Sequence, residues 1–417
     1  MQASPALLGH VEALLGELMR FERAADQVVS AYFRRHGNLG QRDRAFVAET
    51  AYAVLRRRRS LEAAAGGSGP RLLAIAALMR VFGLSARALE GALTRTEREF
   101  AARVRTAGMD GLATSVQAEL PDWLWQRLAT EHGDKEAMQI ARGSLNPAPL
   151  DLRVNLSRIG RDAALAQLAA RGIAAAPTPY SPAGARIEGR PQLNRDPLFV
   201  QGLIEVQDEG SQILAYLLAP RRGEMVADFC AGAGGKALAI AMLMRGSGRV
   251  YALDVSRKRL AALAPRAARA GVSNIHPVVL SGENDVRAKR LSRKLDRVLV
   301  DAPCSGFGTL RRNPDLKWRY GPERIEALAH EQFRILVAAA ALVKPGGRLV
   351  YATCSLLAAE NEAVAERFVA AHPEFAPLDC ARLLAEQRIP LATGMRLRLW
   401  PHEHGTDGFF AAAFARR

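Results

Sequence analysis

Cysteine is scarce in this chain: four in 417 residues, at 230, 304, 354 and 380. No two form a Cys-x-x-Cys pair and no histidine ladder stands near them, so neither a metal site nor a disulfide framework is expected. A reducing cytoplasm fits that usage best. Long apolar runs are missing as well. The longest, 335–343, is far too short to cross a bilayer, so no membrane association is expected. The N-terminus offers no basic start followed by an apolar stretch, which argues against a secretory signal. Acidic residues are in deficit. Their 42 against 58 Lys and Arg leave a formal charge of +16, of which residues 1–150 carry only +4. That excess suits a polyanionic partner, although an arginine-rich proteome would produce it without one.

The rest of the composition is ordinary for a globular protein, 49% hydrophobic and 24% charged, over a length sufficient for two or three domains. Residues 1–145 carry Ala- and Leu-rich stretches at helical spacing over 5–35, 42–59, 71–82 and 121–142. Glycines at 37, 66, 67 and 69 interrupt them, as they do at helix ends, so an all-helical bundle is expected. Residues 146–202 combine a short strand at 150–155, a helix at 162–170 and a Pro/Gly-rich stretch at 177–197, which predicts a small α+β subdomain. In 203–417, apolar runs at 225–229, 250–253, 278–280, 298–300 and 349–351 alternate with helical segments at 236–245, 256–270 and 323–343. That alternation predicts an α/β domain with a mostly parallel, doubly wound, Rossmann-like sheet. Ligands of such sheets bind beyond the carboxyl ends of the strands.

One such strand end opens a glycine-rich loop, Asp228-Phe229-Cys230-Ala231-Gly232-Ala233-Gly234-Gly235-Lys236. Glycines let the backbone approach a ligand and expose amides at a helix start. Asp254 ends the next strand, where a carboxylate can accept hydrogen bonds from ribose hydroxyls. Dinucleotide enzymes and methyltransferases share this arrangement, and a turn needed only for packing would look alike. A Walker loop is excluded, because Ala237 follows Lys236.

Two of the cysteines also open loops after apolar strands: Cys304 in Asp301-Ala302-Pro303-Cys304-Ser305-Gly306, and Cys354 in Tyr351-Ala352-Thr353-Cys354-Ser355. Cys230 and Cys380 read as small buried hydrophobes. Two thiols facing one cleft can divide an addition from a later elimination. Methylation of cytosine at carbon 5 needs both events. That carbon is a poor nucleophile until a thiolate adds to carbon 6 and turns it into an enamine-like centre. A group sharing a proton near N3 stabilises the adduct.

These segments closely resemble the RsmB/Nop2/Sun (NSUN) family of RNA 5-methylcytosine methyltransferases. The likeness covers about residues 200–417 and includes 206–211, 312–318, Glu360-Asn361-Glu362 and 399–410. It implies a class I methyltransferase domain using S-adenosylmethionine, with Cys354 as the nucleophile and Cys304 assisting release. Asp301 would lie near methyl donor and base. Asp254 would hold the ribose, Cys230, Ala231, Gly232, Ala233, Gly234, Gly235 and Lys236 would wrap the cofactor, and Glu283 would approach the adenine. The loop departs from the family pattern Cys-Ala-Ala-Pro-Gly-Gly-Lys-Thr at Gly232, Ala233 and Ala237. The bundle resembles the NusB-like RNA-binding domain of bacterial RsmB-type members, through 41–47 and 52–57.

The expected partner is therefore RNA, probed by Arg311, Arg312 and Lys317 beside the catalytic loop, with ribosomal RNA implied by the RsmB-like architecture and a monomer assumed. Arg56–Arg59 reads either as a solvated helix end or as a phosphate contact. His402 and His404 lack the neighbours of a metal site. A methyltransferase fold without activity, serving RNA binding or assembly, is the alternative, and DNA methylation a third reading.

Overall fold

The computed structural model describes residues 4–108 and 110–417. They fall into two compact units, Met1–Pro147 with Thr309–Pro322 and Ala148–Gly308 with Glu323–Arg417.

The first unit is helical. Its centre is the helix Pro70–Arg80, buried at every position from Leu73 to Met79. No charge interrupts that stretch, and its alanines let neighbouring helices approach closely, as a helix apolar all round requires. The expected helix over 5–35 is two, Pro5–Leu18 and Ala25–Arg35, because Phe21 adopts a left-handed backbone (φ 55°) that no α-helix continues through. The stretch over 42–59 likewise divides into Gln41–Arg56 and Arg58–Ala65. A helix that the apolar spacing does not reveal, Arg95–Thr106, starts from a capping box between Thr94 and Glu97.

Residues 309–322 belong to this unit although their sequence neighbours lie in the other. The reason is visible at helix ends, where backbone groups lack intrahelical partners. Asp315 Oδ2 accepts from Ala25 N (3.1 Å), at the start of Ala25–Arg35. Trp318 Nε1 donates to Leu55 O (2.8 Å) and Lys317 Nζ to Arg56 O (2.9 Å), at the end of Gln41–Arg56. The segment thus caps two helices of the bundle.

The second unit holds two sheets. The smaller is antiparallel, in the order β2-β3-β1-β4, from β1 (Leu150–Val154), β2 (Ala175–Pro177), β3 (Gly184–Ile187) and β4 (Ile204–Val206). One of its strands, β3, therefore comes from the stretch read as Pro/Gly-rich, and β2 ends where that stretch begins. The larger contains β5 (Met225–Asp228), β6 (Arg249–Asp254), β7 (Ile275–Val279), β8 (Leu295–Asp301), β9 (Val343–Thr353), β10 (Phe375–Leu378), β11 (Leu397–Leu399) and β12 (Phe409–Arg416). Its order is β10-β12-β9-β8-β5-β6-β7, with β11 paired to β12. The pairs from β7 to β9 are parallel and those of β12 antiparallel. This is the doubly wound, Rossmann-like arrangement that the alternation predicts. The helix expected at 256–270 breaks at Ala262, and Pro265 sits in the first turn of the second piece, Leu263–Ala270. There a missing N–H costs nothing. The apolar run 335–343 is shared between the end of helix Pro322–Ala340 and the start of β9. Among the described residues, no helix is long and apolar enough to cross a membrane.

Candidate active site

Four parallel strands end at one edge of the large sheet; three deliver predicted site residues there, and the fourth, β5, opens the predicted cofactor loop at Asp228, which sequence reasoning did not single out. β5 ends at Asp228, β6 at Asp254 and β8 at Asp301, and Cys354 follows β9 directly. Asp301 and Ala352 are register partners, so the two cysteine loops leave adjacent strands at one level. Cys304 Sγ and Cys354 Sγ lie 3.3 Å apart, both half-buried and both free.

The backbone beneath them leaves no freedom. Gly308 N donates to Cys354 O (2.8 Å), and Gly408 N donates to Gly308 O (2.8 Å). A Cβ on Gly308 would come within 2.1 Å of Gly408 O, so only glycine permits the three segments to meet. The Cys304 thiol is held well above its usual range, first by its hydrogen bond with Cys354, then by burial and by the charges of Cys354, Glu360 and Asp301.

Lys236 Nζ donates to Asp301 Oδ2 (2.6 Å). Burial acts against the ammonium, but the charge and hydrogen bond of Asp301, together with Asp228, outweigh it and hold the pKa of Lys236 up. Asp228 has both carboxylate oxygens buried without a hydrogen-bond partner. Its pKa is pushed up to about 7, chiefly by burial, with Lys236 opposing and Asp301 and Asp254 adding to the rise.

The glycine loop forms a cradle around these groups. Asp254 accepts from Gly232 N (2.6 Å) and Ser256 N (2.7 Å), which fixes the loop to the end of β6. Gly232 and Gly234 have positive φ (54° and 82°). A Cβ on Gly232 would meet the Arg259 guanidinium at 2.3 Å, and one on Gly234 would meet Leu263 at 2.2 Å. The departure from the family pattern at position 232 therefore suits this backbone. From the other side, the buried Arg153 of β1 donates to Gly235 O (2.8 Å) and to Gln207 Oε1. Glycine cradle, carboxylate at the second strand end and unpartnered Asp228 all fit a polar cofactor approaching the backbone closely.

Glu283 lies in the loop after β7, ion-paired to Arg334 (3.1 Å), and a backbone hydrogen bond and that arginine hold its pKa down. Cys230 is half-buried within the loop, and burial and the surrounding carboxylates push its thiol well up. Cys380 is fully buried in the core.

Two of the three expected RNA contacts need correction. Lys317 is 2% exposed and Arg311 5% exposed, so neither presents its charge to a phosphate. Lys317 is spent on capping, and burial lowers its pKa to about 7. Arg312 is half-buried. The Arg56–Arg59 run is not a solvated end either: Arg56 donates to Arg311 O (2.9 Å), Arg58 to Glu62 (2.7 Å) and Arg59 to Asp122 (2.9 Å).

One constellation carries no role from sequence reasoning. Glu360 is wholly buried and accepts from Ser305 N, Ser305 Oγ, Ser355 Oγ and Gln332 Nε2. The adjacency of Cys304-Ser305 and Cys354-Ser355 was the available signal; only the fold brings Glu360 between them.

Comparison with known proteins agrees with this geometry. A family model described as 16S rRNA methyltransferase RsmB/F matches residues 215–415, and one described as the RsmF/B-like ferredoxin-like domain matches 120–194. The probable ribosomal RNA small subunit methyltransferase B of Bacillus subtilis is 36% identical over 73% of this chain and 68% of its own. The protein of the same description from Synechocystis sp. is 32% identical over 96% of this chain and 97% of its own. Among solved structures, a methyltransferase homolog protein from Pyrococcus horikoshii aligns over 75% of this chain and all of its own, with 28% identity and a TM-score of 0.63. The chain belongs to the RsmB/F family of ribosomal RNA methyltransferases.

Proposed function

We propose that this methyltransferase modifies carbon 5 of a cytosine in small-subunit ribosomal RNA through a covalent adduct on Cys354. The observation that carries the reading is the pair of thiols 3.3 Å apart, at the ends of adjacent strands and beside the Lys236–Asp301 ion pair. The curated relatives' names support the RNA substrate. S-adenosylmethionine, when bound, supplies an electrophilic methyl group. Residues 230–236 and Asp254 would hold it, with Glu283 towards the adenine.

The chain's own residues account for the remaining steps. The Cys354 thiolate adds to carbon 6, and the electron pair released into the ring makes carbon 5 nucleophilic. Asp301, held by Lys236, would share a proton with the base and stabilise the adduct. Release requires a base for the carbon 5 proton. Before addition, Cys304 is kept protonated, above all by Cys354. Once the Cys354 sulfur is bonded to carbon, that hydrogen bond and charge are gone. That eases loss of the Cys304 proton to solvent, against the burial, Glu360 and Asp301 that still oppose it, and the resulting thiolate takes the proton from carbon 5. The Cys354–carbon 6 bond breaks, its electrons leave with sulfur, and the aromatic ring is restored.

The test is a pair of variants assayed with labelled methyl donor and small-subunit RNA. Cys354→Ala should abolish transfer; Cys304→Ala should trap a protein–RNA adduct that survives denaturing electrophoresis. Full turnover by Cys354→Ala overturns the reading. Mapping the modified cytosine by bisulfite sequencing separates carbon 5 from other positions.

A further inference from the structure

Two loops fifty residues apart must present two thiols to one base. Each cysteine is followed by a serine, and both serines point inward. Ser305 is 1% and Ser355 2% exposed, with their hydroxyls 3.2 Å apart. Glu360 receives both. It accepts from Ser305 N (2.8 Å), Ser305 Oγ (2.6 Å), Ser355 Oγ and Gln332 Nε2 (2.9 Å). Gln332 Nε2 also donates to Pro303 O (2.9 Å), in the Cys304 loop. Tyr351 OH donates to the backbone O of Glu360 and lies 3.2 Å from Gln332 Oε1, which ties the Glu360 backbone to β9.

These four donors are neutral, and together they occupy about as many bonds as a carboxylate can accept. Burying a carboxylate on neutral donors is a costly way to join two turns. What it provides is geometry: one planar group fixes the backbone on both sides of the thiol pair. We propose that Glu360 is the positioning residue of the two-cysteine reaction, setting the separation of Cys304 and Cys354 through Ser305 and Ser355 without touching substrate. The functional part of this proposal rests on the cysteine mechanism above; the geometric part stands apart from it.

Phenylarsine oxide measures the geometry directly. Its arsenic bonds to two thiols held a few ångström apart, and its oxygen leaves as water with their two protons. The full-length protein should bind one arsenical at Cys304 and Cys354, located by peptide mass mapping. Glu360→Gln should weaken that binding about tenfold, lower kcat by about ten- to a hundredfold, and leave KM for RNA and cofactor within about threefold. Adding Ser305→Ala to Glu360→Gln should then cost little more, since the two act through one another. A variant that melts earlier but keeps arsenical affinity and kcat overturns the proposal, because Glu360 would then serve stability alone. If Glu360→Gln does not fold, Ser305→Ala and Ser355→Ala are measured in its place; unchanged arsenical affinity and kcat in both overturns it equally. Active Cys354→Ala would sink the cysteine mechanism while the arsenical measurement still judged the brace.

Discussion

Asp228 is placed at a cost to the fold. Neither carboxylate oxygen makes a hydrogen bond of good geometry, and burial pushes its pKa up to about 7, with Lys236 and the Ala237 amide pulling it down. The sign of its effect follows from linkage. With the folded pKa above the unfolded one, the folded state holds the extra proton, so stability falls as pH rises from about 4 to about 7 and stays low beyond. Asp228→Asn should therefore gain stability relative to the parent as pH rises, by roughly 2–3 kcal/mol more at pH 8 than at pH 5. Thermal melts of the cofactor-free protein at both values check it, and a pH-independent difference refutes it. Such a residue is retained for its site rather than for the fold. Its position at a strand end was legible in the sequence; its lack of partners was not, because that depends on what the sheet brings around it. The same holds for Glu360, which reads locally as one acid in an Asn-Glu-rich turn.

At the scale of elements, segment 309–322 behaves as a removable cap. An N-cap carboxylate is worth about 1 kcal/mol, and a carbonyl left without its donor costs a similar amount. Asp315→Ala and Trp318→Phe should each destabilise the helical unit by about 1–2 kcal/mol, their double variant departing from the sum because the two residues are bonded to each other (Trp318 N to Asp315 O, 3.0 Å). Urea unfolding followed by helical circular dichroism reads this out in the full chain. Unchanged midpoints would show that Ala25 N and Leu55 O find water instead. The sequence hides this because the caps arrive from nearly three hundred residues away. Lys317 is read there as a phosphate ligand because local pattern does not reveal that the fold buries its ammonium. What local pattern does determine is largely preserved: β5, β6, β8 and β9 overlap the apolar runs read for them, since such runs must be buried on both faces, whereas the partly exposed edge strand β7 starts three residues before its run. β10, β11 and β12 escaped because Phe409–Arg416 is an Ala-Phe run without strand alternation, stabilised by its pairing with β9.

For the whole molecule, the excess of positive charge is spread over both units, +7 on the first and +9 on the second. With Lys317 and Arg311 committed internally, RNA attraction has to come largely from exposed arginines elsewhere, with Arg312 the remaining predicted contact beside the catalytic loop. Attraction of that kind is mostly release of counterions, so it weakens with salt while chemistry in the occupied site does not. Binding of small-subunit RNA, measured by filter retention between 50 and 300 mM potassium chloride, should give a log–log slope of about −3 to −5, corresponding to roughly 4–7 phosphates of single-stranded RNA. kcat at saturating RNA should stay within about twofold across that range, because the thiol pair and the Lys236–Asp301 pair are shielded by burial. Arg311→Ala should leave the slope unchanged, as expected of a side chain that contacts no phosphate. A slope near zero would mean that the charge reflects composition alone, and a slope made shallower by Arg311→Ala would return that arginine to the RNA interface.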